Sequence, residues 1–320
     1  MARRRTVRRA IVLDLGGTQY RVAVGTSEGV IEWRVSRPTD AARGHDVVLG
    51  SIFEAVDEAL GTVEDRKTVV GFGIGAAGPL DPWSGVLHNP PNLPGWDSVP
   101  IRQQFEERYA LPARVANDAN LAALGEHRFG AGRGYKNIIY VTVSTGIGAG
   151  IIVNDQLLLG RCGFAGEVGH MTIDMHGPLC HCGNVGCLEV LASGTAIARR
   201  AREMIEAGHA TEFSRLPLDE VTSKAVEEAA YRGDVLSEQI LHEAGIALGV
   251  GMVNLTHLFD PDRIIIGGGV SNAGPQLWDP MMQIVRGRTM TPCHRDVEIV
   301  PAGLLDDAGL LGAVVLVTSL

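Results

Sequence analysis

The sequence lacks the features of membrane proteins and of proteins that coat nucleic acid. Its longest uncharged stretches, such as residues 244–259, are shorter than the roughly 20 apolar residues that span a bilayer. Its net charge is −9, whereas coating nucleic acid requires a basic surface. Hydrophobic residues make up 45% and charged residues 20% of the 320 residues, which is a globular balance. We therefore expect one large domain or two ordinary ones, with no membrane or nucleic-acid partner.

Basic residues are concentrated at the N-terminus, where arginine occupies positions 3, 4, 5, 8 and 9. We interpret this segment as a frayed, solvated tail. It is not a signal peptide, because Asp14 interrupts the apolar run that follows it.

Cysteine is scarce, and its distribution is uneven. Three of the five cysteines, Cys180, Cys182 and Cys187, lie within eight residues of one another. Such clustering is more typical of a metal site in a reducing compartment than of a disulfide framework. We expect a cytoplasmic protein.

Glycine, in contrast, is abundant, with 41 residues. Gly16 and Gly17 separate two apolar runs, residues 10–15 and 20–24, which predicts a strand, a tight turn and a second strand. The pattern returns in a strand at 138–143, a glycine turn at 145–150 and a strand from 151. The repetition favours a duplicated α/β architecture with two halves that face each other across a cleft.

Three glycine turns follow predicted strands and suit phosphate groups. In the first turn, the backbone N–H groups of Gly16 and Gly17 can form an anion nest, Thr18 adds a hydroxyl donor, and Asp14 can hold Mg²⁺. The remaining candidates are Thr145, Gly146 and Gly148 in the second turn and Gly267, Gly268 and Gly269 in the third. Neither a Walker A sequence nor a dinucleotide fingerprint is present. Each turn alone could be an ordinary hairpin, but together they indicate a nucleotide in an interdomain cleft.

Asn117 and Asp118 stand where a predicted strand ends and a predicted helix begins. Both residue types cap helices well, so capping is one interpretation. The other makes Asp118 a general base that accepts the proton of an attacking hydroxyl group.

The cysteine cluster predicts a zinc site. Three thiolates need a fourth ligand, and the candidates are His170, His176 and His181, of which His181 fits least because it adjoins two of the cysteines. A Cys₃His site is closed and therefore structural rather than catalytic. Glu167 and Glu189 flank the cluster and suit a polyhydroxylated substrate, although each could be a solvated surface charge.

Taken together, these motifs resemble the ROK family of sugar kinases and sugar-responsive repressors, over essentially the whole chain. The resemblance implies a two-domain α/β fold of the actin-like ATPase (ribonuclease H-like) type with an interdomain active-site cleft. It implies a small domain of residues 1–116 plus 307–320, and a large domain of residues 117–306 that carries the zinc site.

The resemblance also implies the roles of the site residues. Asp118 would be the base that deprotonates the 6-hydroxyl of a hexose, with ATP and Mg²⁺ as donor and a structural Zn²⁺ that shapes the pocket. His170 would bind both Zn²⁺ and sugar. The sugar ligands would be Asn92, Asn117, Asp118, Glu167, His170 and Glu189, and the zinc ligands His170, Cys180, Cys182 and Cys187. Within the family the chain looks most like bacterial glucokinases, enzymes of glycolysis, and we expect a homodimer or homotetramer.

Two departures and several alternatives remain at this stage. Gln19 stands where the family often has Lys, and Ala77 where it usually has Pro. The acceptor could be another hexose such as fructose, or an N-acetylhexosamine such as N-acetylmannosamine or N-acetylglucosamine, and the donor could be ADP or polyphosphate. A repressor would need a helix-turn-helix module, but only about ten residues precede Ile11. A zinc-ribbon interaction module would leave the three glycine turns unexplained.

Overall fold

The structure is a computed structural model that describes residues 7–319. The arginines at positions 3, 4 and 5 lie outside the described residues. Arg9, however, is the first residue of a strand, and its guanidinium group donates to both carboxylate oxygens of Glu32 at 2.6 and 2.7 Å. The interpretation as a solvated tail is therefore wrong for Arg9.

Twelve β-strands and ten α-helices form within residues 7–319. The strands are β1 (Arg9–Leu15), β2 (Gln19–Thr26), β3 (Ile31–Pro38), β4 (Val69–Ala76), β5 (Leu80–Asp81), β6 (Val86–Leu87), β7 (Ala113–Asn117), β8 (Ile138–Val143), β9 (Ile147–Val153), β10 (Gln156–Leu157), β11 (Arg263–Gly267) and β12 (Glu298–Pro301). The helices are α1 (His45–Thr62), α2 (Ile101–Tyr109), α3 (Asp118–Phe129), α4 (Leu188–Ala192), α5 (Gly194–Glu206), α6 (Ser223–Tyr231), α7 (Val235–Phe259), α8 (Pro275–Arg288), α9 (Pro292–Arg295) and α10 (Ala308–Thr318). None of the helices in this part of the chain is long and apolar enough to cross a bilayer.

Two five-stranded sheets share one topology. Their strand orders are β3-β2-β1-β4-β7 and β10-β9-β8-β11-β12. In the first sheet β1 pairs antiparallel with β2 and parallel with β4, which pairs parallel with β7. In the second sheet β8 pairs antiparallel with β9 and parallel with β11, which pairs parallel with β12. The sheets support the expected duplication, and each carries a glycine turn between its two antiparallel strands.

The chain divides into two compact units. The first comprises the chain up to Gly134, Gln156–Ala165 and the chain from Gly303 onwards, and the second comprises Tyr135–Asp155 and Gly166–Ala302. This division differs from the expected boundary after residue 116, because α3 packs against α10 and so belongs to the first unit. Each unit has its own apolar core. Much of the core of the first unit comes from β1, β2 and α1, and much of the core of the second comes from α7 and α8.

A buried carboxylate near the end of α3 fixes two distant segments of the first unit. Glu126 is fully buried, and its Oε2 atom accepts hydrogen bonds from the backbone N–H groups of Ala131 at 2.7 Å and Gly303 at 3.1 Å. Its Oε1 atom accepts a third, from the N–H of Leu304 at 2.8 Å. Ala131 lies shortly before the chain leaves the first unit, and Gly303 is where the chain returns to it. Glu126 thus satisfies the backbone donors of both connections at once.

We predict that Glu126→Ala destabilises the first unit strongly. The substitution removes the shared acceptor of three backbone N–H groups, and a hydrogen bond to a charged group contributes about 1.5–3 kcal/mol. The midpoint of urea unfolding, followed by circular dichroism, should fall accordingly. The matched control is Glu54→Ala, an exposed glutamate of α1, which should leave the midpoint almost unchanged. Equal midpoints for the two variants would contradict this role of Glu126.

Candidate active site

Asp14 lies near the carboxyl end of β1, and an arginine of the neighbouring strand holds it. The register pairs Asp14 with Arg21 across the hairpin. The Nε and Nη2 atoms of Arg21 donate to the same oxygen, Oδ2 of Asp14, at 2.9 and 2.6 Å. Both side chains are about one quarter exposed, at 25% and 28%. Because both bonds end on one oxygen, the second oxygen of Asp14 is still able to bind a cation.

The first glycine turn is shaped by close contacts rather than by left-handed backbone. Neither Gly16 nor Gly17 has a positive φ angle. A Cβ atom on Gly17 would lie 2.5 Å from the Cβ atom of Asn92, so a side chain at position 17 would displace the loop that carries Asn92. Thr18 is exposed, and its carbonyl oxygen accepts a hydrogen bond from the N–H of Thr39 at 2.9 Å. Asn92, a predicted sugar ligand, therefore lies beside the predicted phosphate turn.

Asn117 and Asp118 divide the two roles that the sequence suggested for them. The side chain of Asn117 caps α3 by accepting a hydrogen bond from the N–H of Asn120 at 2.8 Å. Asp118 is the first residue of α3 and accepts from the N–H of Ala119 at 2.8 Å. Its side chain is open to solvent, yet the surrounding protein atoms and the negative charge of Asp14 raise its pKa above the ordinary value. A raised pKa makes the carboxylate a stronger base, as proton abstraction requires.

The second turn is shorter than predicted. Strand β9 begins at Ile147, so Gly148 is a strand residue paired with Thr142 and not part of the turn. The carbonyl oxygens of Ser144 and Thr145 accept hydrogen bonds from the N–H of Gly194 at 2.7 Å and the hydroxyl group of Thr195 at 2.7 Å. These bonds bring the exposed turn to the N-terminus of α5, where the helix dipole favours anions.

The third turn lies beside the second, at the edge of a cavity of about 560 Å³ within the second unit. Gly267 ends β11, and Gly268 has a φ angle of 88°, which favours glycine. Gly269 lines the cavity together with Ser144 and Thr145, and no atom lies within 4 Å of a Cβ built on it. The cavity has the size of a small-molecule site.

The predicted zinc ligands form one cluster. His170, Cys180, Cys182 and Cys187 place their ligand atoms within 4.8 Å of one another. The sulfur atoms of Cys182 and Cys187 are 3.8 Å apart, and the Nδ1 atom of His170 lies 3.7 Å from the sulfur of Cys180. Thiolates bound about 2.3 Å from a tetrahedral Zn²⁺ lie about 3.8 Å apart, so the separations fit zinc. Burial and the neighbouring thiols raise the pKa of Cys187 to about 12, and a cation would stabilise its thiolate form.

Backbone pairing brings His170 to the cysteines. Thr172 forms a bridge with Cys187, and the N–H of Leu188 donates to the carbonyl oxygen of Met171 at 2.9 Å. His176 is exposed and does not belong to the four-residue cluster. His181 remains near, since its Nδ1 atom is 3.9 Å from the sulfur of Cys180.

Glu189 connects the cysteine cluster to the second turn. It lies on α4, two residues after Cys187, which is the last cysteine of the cluster. Its Oε2 atom accepts a hydrogen bond from the N–H of Ile147 at 2.8 Å. A Cβ atom on Gly146 would lie 2.5 Å from that oxygen, so the contact requires glycine there. Glu167 is exposed, beside the helical turn Val168–His170. Glu189 is thus engaged with the backbone of the second turn.

Sequence reasoning missed two residues that shape this site. Arg21 was detectable, because counting outward from the turn pairs it with Asp14 across the hairpin. Thr195 was not, because its contact with Thr145 joins residues 50 positions apart.

Comparison with known proteins agrees with this arrangement. The sequence profile of the ROK family matches residues 10–319. A glucokinase from Thermotoga maritima is 36% identical over 305 residues, which cover 95% of each chain. The crystal structure of a ROK family glucokinase from Streptomyces griseus in complex with glucose and AMPPNP has a TM-score of 0.81 at 35% identity, and the match covers 97% of this chain and 99% of that one. A xylose repressor from Caldicellulosiruptor bescii is 30% identical over 311 residues, which cover 97% of this chain and 78% of the repressor.

These matches confirm the resemblance on which the expected fold depends. Each unit is built on a mixed five-stranded sheet, and the two sheets have equivalent strand orders. Together the units have the two-domain actin-like ATPase fold of the solved ROK glucokinases. The family profile covers nearly all of the described residues, and the relatives match along almost the whole chain. The chain belongs to the ROK family.

Proposed function

We propose that the protein is an ATP-dependent glucokinase, which transfers the γ-phosphoryl group of ATP to the 6-hydroxyl group of glucose. One observation carries the proposal. The carboxylate of Asp118 lies where β7 meets α3 and has a raised pKa. It does so in a chain of which 97% matches a glucokinase solved with glucose and AMPPNP. Phosphoryl transfer needs positioning, charge neutralisation and one base, and the chain offers a candidate for each.

In the first unit, Asp118 accepts the proton of the sugar hydroxyl as that oxygen forms its bond to phosphorus and the bond between the γ-phosphorus and the oxygen of ADP breaks. Asn92 and Asn117 bind the other sugar hydroxyls. Asn117 uses its side-chain oxygen to cap α3, so its amide N–H groups remain to donate to the sugar. Asp14 would hold Mg²⁺, since Arg21 binds only one of its two oxygens. Gly17 and Thr18 donate to phosphate, whereas the N–H of Gly16 donates to the carbonyl oxygen of Gln19 at 3.0 Å, so that Gly16 shapes the turn rather than binding phosphate as the sequence suggested. Bound Mg²⁺ would neutralise phosphate charge during transfer.

In the second unit, Thr145, Gly146 and the N-terminus of α5 bind phosphate, and Gly267, Gly268 and Gly269 lie against the nucleoside. The cavity of the second unit supports this assignment, because Thr145 and Gly269 both line it and one ligand could contact both turns. Gly148 lies in β9 rather than in the turn, so it is not among the phosphate donors of this proposal.

We further propose that His170, Cys180, Cys182 and Cys187 hold a structural Zn²⁺. Their separations support this ligand set, and no position is left open for a reacting water. The ion would anchor the segments that carry Glu167, His170 and Glu189, which bind sugar hydroxyls. Reduced thiolates persist in a reducing compartment, which favours the cytoplasm.

The alternative acceptors and the repressor remain weaker candidates. The two kinases described above, from Thermotoga maritima and Streptomyces griseus, are glucokinases, which favours glucose over N-acetylhexosamines. A net charge of −9 disfavours DNA as the partner.

We predict that Asp118→Asn lowers kcat by about 10²–10⁴-fold, the usual contribution of a general base, while glucose still binds. The amide keeps the shape of the side chain but cannot accept the proton. Steady-state kinetics with ATP and a panel of hexoses and N-acetylhexosamines, together with calorimetric glucose binding, would measure both effects. Asp57→Asn, at an exposed position of α1, is the matched control. Near-normal turnover in Asp118→Asn would reject the assignment.

We also predict an acid limb in the pH profile of kcat/KM. The base works only when it is deprotonated, so activity is full above the pKa of Asp118 and falls as the pH drops through it. Because that pKa is raised, the limb should lie above the ~3.9 of an ordinary aspartate. The residual activity of Asp118→Asn should lack the limb. If the variant keeps the same limb, another group is responsible for it.

Our prediction for the metal site is that the isolated protein contains about one Zn²⁺ per chain and that Cys182→Ser loses it. Loss of the ion should lower the melting temperature and raise the KM for glucose together, the latter by about 10–100-fold. Atomic emission spectroscopy gives the metal content. Cys162→Ser, which alters an exposed cysteine outside the cluster, should keep the ion and the kinetics. A wild-type protein without zinc, or unchanged glucose affinity after its loss, would refute the prediction.

A further inference from the structure

The cavity of the second unit extends beyond the glycine turns to a charged end. The glycine turns line one part of it, whereas Arg202 of α5 and Lys224 and Glu227 of α6 line another. Its volume of about 560 Å³ is that of a site for a whole small molecule. The residues of the charged end have no role in the assignments above.

Glu227 is the unusual residue of this end. It is half-buried on α6, beside the core residues Val226 and Ala230, and no described residue forms a hydrogen bond or ion pair with it. Burial raises the pKa of Glu227 to about 7. A carboxylate that is desolvated without donors is unfavourable, and a ligand that brings O–H donors relieves that cost.

The two cations of the cavity differ from Glu227 in having partners. The Nε atom of Arg202 donates to the carbonyl oxygen of Ala198 at 3.1 Å. The ammonium group of Lys224 lies 4.0 Å from a carboxylate oxygen of Glu228, the exposed neighbour of Glu227. At this end of the cavity, Glu227 is therefore the group without a partner, and it is a hydrogen-bond acceptor rather than a cation.

The chemistry of a carboxylate restricts what it can bind. An ionised carboxylate only accepts hydrogen bonds, and its two oxygens match two neighbouring hydroxyl groups. A nucleoside triphosphate offers such a pair in its ribose, at the end away from the terminal phosphates. Inorganic polyphosphate offers only negatively charged acceptors, which a carboxylate repels.

On the basis of the kinase function proposed above, we infer that Glu227 binds the ribose hydroxyls of the donor and so selects a nucleoside triphosphate over inorganic polyphosphate. The first and second turns bind the phosphates, which both donor classes share, and Glu227 recognises the ribose, which only the nucleotide has.

The experiment compares Glu227→Ala with Glu228→Ala, which removes the adjacent exposed carboxylate. Glucose phosphorylation is measured with ATP, with 2′,3′-dideoxyATP and with polyphosphate. Hydrogen bonds to a charged group change affinity by roughly 10–100-fold, so the wild type should show a KM for dideoxyATP at least tenfold above that for ATP. In Glu227→Ala this ratio should fall towards unity, with kcat and the KM for glucose nearly unchanged. Glu228→Ala should keep the wild-type ratio.

The outcomes separate this inference from the proposed function. Calorimetric titration with ADP and dideoxyADP measures the same ratio without turnover, so the inference can be tested even if glucose is not the acceptor. A ratio that Glu227→Ala leaves unchanged overturns the inference and leaves the kinase assignment intact. Polyphosphate serving the wild type as well as ATP does also overturns it. Absence of ATP-dependent phosphorylation of any hexose, with the ratio shifted as expected, would refute only the proposed function.

Discussion

The parallel hydrogen-bond register of the two sheets is the constraint from which the candidate site follows. Strands β1, β4 and β7 run side by side in one direction, so their carboxyl ends meet at one edge of the first sheet. The register places Asp14 beside Gly75 and Ala76 beside Asn117. Strands β8 and β11 do the same for the second sheet, where Thr142 pairs with Gly267. Residues from distant parts of the sequence are collected because the strands end together.

The charges around Asp14 differ from those around Asp118. Asp14 and Asp118 carry like charges close enough for one to raise the pKa of the other. Arg21 offsets part of the negative charge on Asp14. Among the described residues, no hydrogen bond joins Arg21 to Asp118. Asp14 thus has a cationic partner, whereas Asp118 has none of this kind and is a stronger base than an ordinary aspartate. These different surroundings support the two different roles that we propose for Asp14 and Asp118.

The sequence alone predicted the elements that have strong local signals. The first glycine turn, the start of α3 and the grouping of the three cysteines needed only local spacing, whereas the choice of His170 as fourth ligand came from the family resemblance. Helix α8 escaped prediction because Pro280 lies inside it, where a proline ordinarily disfavours helix. Gly245 of α7 permits close packing of α8, because a Cβ atom there would lie 2.7 Å from the Cγ atom of Pro280. The bond between Glu189 and Ile147 joins residues 42 positions apart, a tertiary contact without a local signal.

The position of α10 has a consequence for how the chain is made. Leu310, Ala313 and Val314 of this last helix share a core cluster with Ala10 and Val12 of the first strand. A ribosome releases β1 long before α10, so the first strand must wait with one face uncovered while most of the polypeptide is synthesised. Residues 166–302, in contrast, form a continuous stretch of the second unit and can pack as soon as they emerge. Although N-terminal regions generally fold first during synthesis, here the beginning of the chain is completed last.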